Sequence, residues 1–495
     1  MKLNTSNLSK ISSLPKIITP NYDRSQVQQG IVHIGVGGFH RAHLALYIEK
    51  LLNLGASQDW GICGVGLLAQ DSAMQQTLIE QDFLYTLVEL QESDDTDTQI
   101  IGSIGDFILA DKEDNRLIDK LISDETKIVS LTITEGGYCI DDSTGQFDPS
   151  IEQIQQDLNN PEQPTTIFGY LTLALKKRKE AGKKAFTVMS CDNLPHNGDI
   201  TKKVLLSFSR LIDVQLSEWI AENVSFPNSM VDRITPATSA DHKNYLLEKT
   251  GIEDNWPVVC EPFTQWVVED NFCNGRPEFE QVGVQFTDNV AAFEAMKIGL
   301  LNGSHLMLAC TGILLGYEFA HQTMQDSYLR RYVRQFMDND VTPRLDEISG
   351  VDFEEYKNTL IFRFANVEIC DQLLRIASDS SSKYPKFIMP TLQWLIEHNK
   401  PLDRIALMTA AWIKCTTGAL NNEAAIPDIV DPKHDVLVDA ISEDSQKVVA
   451  NFLAIEEIFG SQIAENQQFI QLVKLKLEQI ETLGMKEALV LTMSC

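Results

Sequence analysis

Two rhythms of apolar and polar positions alternate along the first 225 residues. Short, nearly unbroken apolar runs, GIVHIGVGGF (30–39), WGICGVGLL (60–68), KIVSLTIT (127–134) and KAFTVMS (184–190), have the length and β-branched content of buried strands. Between them, RAHLALYIEKLLNLG (41–55), DSAMQQTLIEQ (71–81), LIDKLIS (117–123) and IFGYLTLALKKRKEAG (167–182) space their apolar residues as helices do, and the first and last stop at glycine. FLYTLVEL (83–90) and QIIGSIGDF (99–107) read as a hairpin pair across the acidic turn ESDDTDT (92–98). Residues 1–29, polar and interrupted by Pro15 and Pro20, read as a loosely held lead-in. Strands alternating with helices predict βαβ units and a mostly parallel sheet. Between 226 and 290 the chain shows turns, prolines and a few short strands, and from Asn289 onward helical periodicity dominates. The expected architecture is an α/β N-terminal domain over 1–225 and a mainly α-helical C-terminal domain over 226–495, with a ligand site between them.

Charge narrows the function. Lys and Arg number 41 against 70 Asp and Glu, a formal charge of -29. Such a surface repels phosphate backbones and anionic lipid, so nucleic-acid and membrane partners are not expected. The nine cysteines include no CxxC pair, which points to reduced thiols and a cytoplasmic setting. The N-terminus shows no signal peptide, and no 18-residue apolar window predicts a membrane helix. No metal-ligand set can be assembled from the His and Cys spacing.

Gly35-Val36-Gly37-Gly38-Phe39-His40 follows the first strand and opens the first helix, the setting of a Rossmann-like dinucleotide fingerprint. Gly35 permits the tight turn and Gly37 the close approach of a pyrophosphate, while His40 stands where the third glycine would be. A GxG alone equally marks a structural turn. Arg41 either neutralises phosphate charge or is a surface arginine. Asp71, the first acid after the second strand, either holds the ribose 2′-hydroxyl, favouring NAD over NADP, or caps the next helix.

Lys297, Asn302 and His305 interrupt the largely apolar stretch MKIGLLNGSHL (296–306). On an α-helix Asn302 and His305 share a face, as do Lys297 and His305, while Lys297 and Asn302 differ by about 140°. A lysine among Ile298, Leu300 and Leu301 would have its pKa depressed by desolvation, as a general base requires. The bland alternative is a snorkelling lysine and a satisfied core histidine. Burying three polar groups together without function is costly, and this favours a site. A second polar cluster, SCDNLPHNG (190–198), follows a strand, where Asn193 either donates to a substrate oxygen or merely makes a turn.

Together IVHIGVGGFHRAH (31–43), SLTITEGGYCIDD (130–142), FTVMSCDNLPHNG (186–198), SFPNSMVDRITPAT (225–238), EPFTQWVVED (261–270), MKIGLLNGSH (296–305) and SDSSSKYPKF (378–387) resemble the polyol-specific long-chain dehydrogenases, the mannitol dehydrogenase family. The resemblance implies metal-independent, NAD(H)-dependent oxidation of a sugar alcohol at C2, D-mannitol to D-fructose. It implies a small-molecule polyol or ketose partner and a monomer. It makes Lys297 the general base, Asn193 and Asn302 an oxyanion hole, and His305 a residue that orients the substrate. Glu294 would relay or gate the proton, Asp232 would support the base, and Arg375 and Lys383 would hold the distal hydroxyls. Gly35, Gly37, Gly38, Phe39, Arg41 and Asp71 form the implied cofactor set. Leu67-Leu68-Ala69-Gln70-Asp71 departs from the arginine and paired acids of the family pattern and keeps one acid, which weakens the rejection of NADP. Hexuronate reduction within the same family, and a nucleotide-binding regulator without catalysis, are the rival readings.

Overall fold

The computed structural model describes residues 1–90, 98–111, 114–141, 144–420, 426–441 and 445–493. The expected acidic turn at 92–98 lies outside them apart from Thr98. The chain divides into two compact units, Met1–Ala291 and Ala292–Cys495.

The first unit is built on a five-stranded parallel sheet ordered Thr187–Ser190, Ile128–Leu131, Ile31–Ile34, Ile62–Gly66, Ile104–Leu109. Ile31 pairs with both Ile62 and Ile128, which makes its strand the centre. Successive side chains point to opposite faces. Ile31, Ile62, Ile128 and Met189 join the cluster of Leu44, Ile48 and Leu51, whereas Val32, Val65, Val129 and Val188 pack with Phe168, Leu171 and Phe208. Both faces are covered, which is why these strands read as unbroken apolar runs. The helix expected over 41–55 is broken at His43 (φ -123°, ψ -92°) into Gly38–Ala42 and Leu44–Asn53.

The expected boundary at 225/226 falls inside this unit. Val258–Cys260 pairs with Tyr85–Glu89, and Val231, Cys260, Trp266, Val268 and Phe279 belong to the same apolar cluster as Ile31. Strands of two to four residues carry too little periodicity to announce such a connection. The lead-in is also more tightly held than expected. Leu3 and Ile11 are buried with Leu84, Ile100 and Ile252, and Ile17–Ile18 pairs in parallel with Thr98 and Gln99. Of the expected hairpin, Tyr85–Glu89 and Thr98–Ile101 do pair antiparallel, but Ile104–Leu109 turns away into the main sheet.

The second unit is helical. Gly303–Leu314 and Gln467–Leu483 both pack against the long helix Asp403–Leu420. Two π-helical segments, Ile298–Asn302 and Phe336–Val341, interrupt its α-helices. Among the described residues, no helix is long and apolar enough to cross a membrane.

Candidate active site

The glycine turn at the carboxyl end of the central strand is held from below. Gly35 has φ +92°, and a Cβ there would lie 2.1 Å from the Thr132 carbonyl oxygen. The Gly35 carbonyl accepts hydrogen bonds from Gly37 N–H (2.8 Å) and Thr132 Oγ1 (2.8 Å), with His33 Nε2 at 3.2 Å. Burial lowers the His33 pKa to about 3, so the ring is neutral. The Gly35 carbonyl can only accept, so the neutral ring faces it with Nε2–H and accepts at Nδ1 from Ser130 Oγ, 2.8 Å away. On the other side of the turn, a Cβ at Gly37 would meet only the Gly35 oxygen, at 4.0 Å. That clear approach suits the pyrophosphate of a dinucleotide. At Gly38 a Cβ would make an ordinary contact with Thr235, and the Phe39 ring stacks on His43 at 4.9 Å.

Arg41 is not the surface or phosphate-facing arginine that was expected. It is 1% exposed, its Nη1 donates to the Trp256 carbonyl, and its guanidinium lies over the Tyr85 ring. The broken helix turns it inward, where it supports the loop from the core. Asp71 accepts a hydrogen bond from Leu68 N–H at 2.9 Å across the short turn Ala69–Asp71, while its side chain makes no capping bond to the helix Ser72–Glu80 that it precedes. Asp71 stays at the end of the second strand beside Gly66, where a Cβ would crowd it at 2.4 Å.

At the carboxyl end of Thr187–Ser190, Asn193 is exposed and follows a buried Asp192. Asp232 is buried on the strand Ser229–Asp232, paired with Gln265. The adjoining Arg233 is buried and donates to the Ala42 and Glu261 carbonyls and to Glu89, so the VDRITP and EPFTQW motifs interlock.

In the second unit, Glu294 and Lys297 end the helix Val290–Lys297, each 6% exposed. The next turn is π-helical, closed by Gly303 N–H donating to the Ile298 carbonyl. A turn closed i→i+5 holds more residues than an α turn and advances less per residue, which brings Asn302 nearer the Lys297 side than the roughly 140° of an α-helix. His305, three residues on, shares the Asn302 face. Its ring lies 4.5 Å from Phe364, which fixes the imidazole plane. Asn302 Oδ1 is buried without a hydrogen-bond partner, an open valence that a ligand hydroxyl would satisfy. Glycine permits this turn: a Cβ at Gly299 would lie 2.6 Å from Val341 Cγ1, and one at Gly303 3.2 Å from the Phe336 ring.

Lys383 is half-buried, and burial lowers its pKa. Its Nζ donates to the carbonyls of Ser378 (2.5 Å), Ile376 (3.1 Å) and Arg375 (3.4 Å), closing the end of the helix Leu373–Ala377. The Arg375 side chain is 65% exposed and paired with Asp371. Among the described residues, no group of three or more His, Cys, Asp or Glu is placed to hold a metal ion. Sequence reasoning missed His33, Thr132, Asp192 and Phe364. Of these, His33 and Thr132 had a signal, as polar residues inside or ending a buried strand.

A parallel sheet with a glycine turn at its carboxyl edge, followed by a helical unit bearing a buried lysine, defines a Rossmann-type dehydrogenase. Residues 29–281 match the mannitol dehydrogenase Rossmann domain and residues 289–481 the mannitol dehydrogenase C-terminal domain, and the chain belongs to that family. It is 44% identical to a mannitol 2-dehydrogenase of Aspergillus fumigatus, over 99% of this chain and 98% of that one. It superposes on the Pseudomonas fluorescens mannitol 2-dehydrogenase, solved as a ternary complex with NAD and D-mannitol, with TM-score 0.90 and 49% identity over the whole of both chains. A D-sorbitol dehydrogenase in substrate-free form follows, with TM-score 0.87 and 37% identity over 99% of this chain and 100% of that one.

Proposed function

We propose that the protein oxidises D-mannitol at C2 to D-fructose, reversibly and with NAD. The observation that carries this reading is the buried Lys297 followed by a π turn, which brings Asn302 and His305 toward its side of one apolar helix. Membership of a family with full-length mannitol 2-dehydrogenase relatives supports it. Gly35, Gly37, Gly38, Phe39 and Asp71 hold the cofactor, with Arg41 bracing the loop from the core. NAD, when bound, supplies the hydride acceptor.

Lys297 Nζ takes the proton of the C2 hydroxyl while the C2–H bond breaks and the C2=O bond forms. Asn193 and Asn302 donate to the oxygen as its charge grows, and in reverse they polarise the ketose carbonyl. His305 orients the neighbouring hydroxyls. Glu294, about one turn before Lys297, relays the proton onward, and Asp232 supports the base. Arg375 and Lys383 hold the distal hydroxyls, Lys383 by exchanging one of its carbonyl partners for substrate. The acidic balance of the chain argues against nucleic acid or an anionic membrane as partner. The eight described cysteines are free, which fits a reducing cytoplasm. We read the protein as a monomer.

The test is NADH formation by the EDTA-treated protein with NAD or NADP and a panel of mannitol, sorbitol, arabinitol and aldonates. Fast turnover of mannitol with NAD supports the reading. Silence on polyols with turnover of mannonate or altronate moves it to a hexuronate reductase.

A further inference from the structure

Two loops leave adjacent parallel strands at their carboxyl ends, one after Ile128–Leu131 and one after Thr187–Ser190. One side chain ties them together. Asp192 is 8% exposed, and its carboxylate accepts hydrogen bonds from Ile133 N–H (3.0 Å), Thr134 N–H (2.9 Å) and the Tyr138 hydroxyl (2.7 Å). Tyr138 is itself buried and lies 2.6 Å from Ser190 Oγ, on the strand that leads to Asp192. Asn197 donates to the Asp192 carbonyl at 3.0 Å, which secures the backbone from the other side.

Thr134 sits at φ +61°, ψ 169°. That region is essentially reserved for glycine, and a β-branched residue persists there only where its surroundings over-determine it. Two backbone N–H groups bonded to one carboxylate are such a constraint. The same carboxylate belongs to the residue before Asn193. The strain of one loop and the placement of the neighbouring amide therefore share a single anchor, at the sheet edge where ligands of this fold bind.

We propose that Asp192 is a positioning residue for the reaction, locking the loop at 132–134 in its glycine-like conformation and fixing the backbone from which Asn193 meets the substrate oxygen. This rests on the role given to Asn193 above.

The experiment compares Asp192→Asn, Thr134→Gly, their double variant, Tyr138→Phe and Asn193→Ala, all with D-mannitol and NAD. NADH affinity is read by fluorescence and folding by circular dichroism. An asparagine at 192 turns one acceptor oxygen into an amide facing a backbone N–H, so kcat falls at least about tenfold, less than the 10²–10³ lost with an oxyanion donor itself. Glycine at 134 removes the strain, so the loss caused by Asp192→Asn shrinks in that background. Tyr138→Phe keeps both backbone bonds and gives a smaller loss in kcat in a folded protein. It carries the test if Asp192→Asn does not fold, and unchanged kcat in Tyr138→Phe then overturns the inference. Wild-type kcat in Asp192→Asn with only a lowered melting temperature overturns it, as does an equal loss with and without Thr134→Gly. A loss in Asn193→Ala with none in Asp192→Asn overturns this inference alone. No loss in Asn193→Ala overturns the role of Asn193 and this inference with it.

Discussion

Lys297 and Asn302 are separated by one π turn, the first ending an α-helix and the second ending the π segment Ile298–Asn302. An α-helix would rotate the asparagine about 140° away from the lysine. The wider turn narrows that angle, and π turns of this kind cluster at functional sites. The chemistry assigned to the second unit depends on that local departure from α-helical geometry.

Removing the base isolates its contribution. Lys297→Ala lowers kcat for mannitol oxidation by about 10²–10⁴, the range of a lost general base. NADH affinity stays nearly unchanged, because the cofactor loop belongs to the first unit. Pre-steady-state and fluorescence titrations check the split, and substantial residual turnover at neutral pH removes the lysine from this role.

The turn itself is testable at Gly299. A Cβ there meets Val341 Cγ1 at 2.6 Å, with Arg344 Nη2 at 2.9 Å. Gly299→Ala forces the π turn to shift, destabilising the protein by about 1–3 kcal/mol through overpacking. Turnover falls more than this stability loss explains, with NADH binding retained. Wild-type kcat in the alanine variant means that the π turn plays no part in aligning Asn302.

The proposed part of Asp71 in cofactor choice is open to test, since its carboxylate holds Leu68 N–H and lies beside Gly66 at the end of the second strand. Asp71→Ala removes the charge that repels a 2′-phosphate, so the ratio of kcat/KM for NADP over NAD rises. An unchanged ratio leaves Asp71 with its hydrogen bond to Leu68 alone.

A pH effect on stability follows from Glu49. Its carboxyl is buried and accepts hydrogen bonds from the Tyr22 hydroxyl, Gly102 N–H and Asn53. Burial outweighs these bonds and raises its pKa to about 7. In the unfolded chain it titrates near ~4.3. Between those values the folded state holds the extra proton, so this contribution to stability is greatest at low pH, falls as pH rises through the window and then levels off. Glu49→Gln flattens that decline. Melting curves from about pH 4.5 to pH 7.5 check it, and identical slopes in the two proteins contradict it.

Much of the first unit was legible because buried parallel strands and their helices carry strong periodicity. Ile31–Ile34, Ile128–Leu131 and Ile167–Glu180 all stand where the pattern puts them. The few short strands expected over 226–290 are present, but their pairing was not legible, since strands as short as Gln285–Phe286 carry little periodicity and their place depends on tertiary contacts. The glycine turn, Asn193, Lys297, Asn302 and His305 were legible by type and spacing, and Glu294, Asp232, Arg375 and Lys383 only through the family resemblance; the geometry of neither set was. The π turn depends on Gly299 and Gly303 letting Val341 and Phe336 approach. The inward turn of Arg41 depends on the break at His43, which helical periodicity conceals. Asp192 lies within SCDNLPHNG, but its partners Ile133 and Thr134 stand some sixty residues earlier, where no spacing in the sequence points to them.

The most direct test of the central claim is the reverse reaction, D-fructose with NADH carrying deuterium at both positions of nicotinamide C4, the product being identified by mass and NMR. The proposed chemistry delivers the label to C2 with one configuration and yields D-mannitol deuterated there. D-glucitol as the main product, or a product without deuterium at C2, contradicts it.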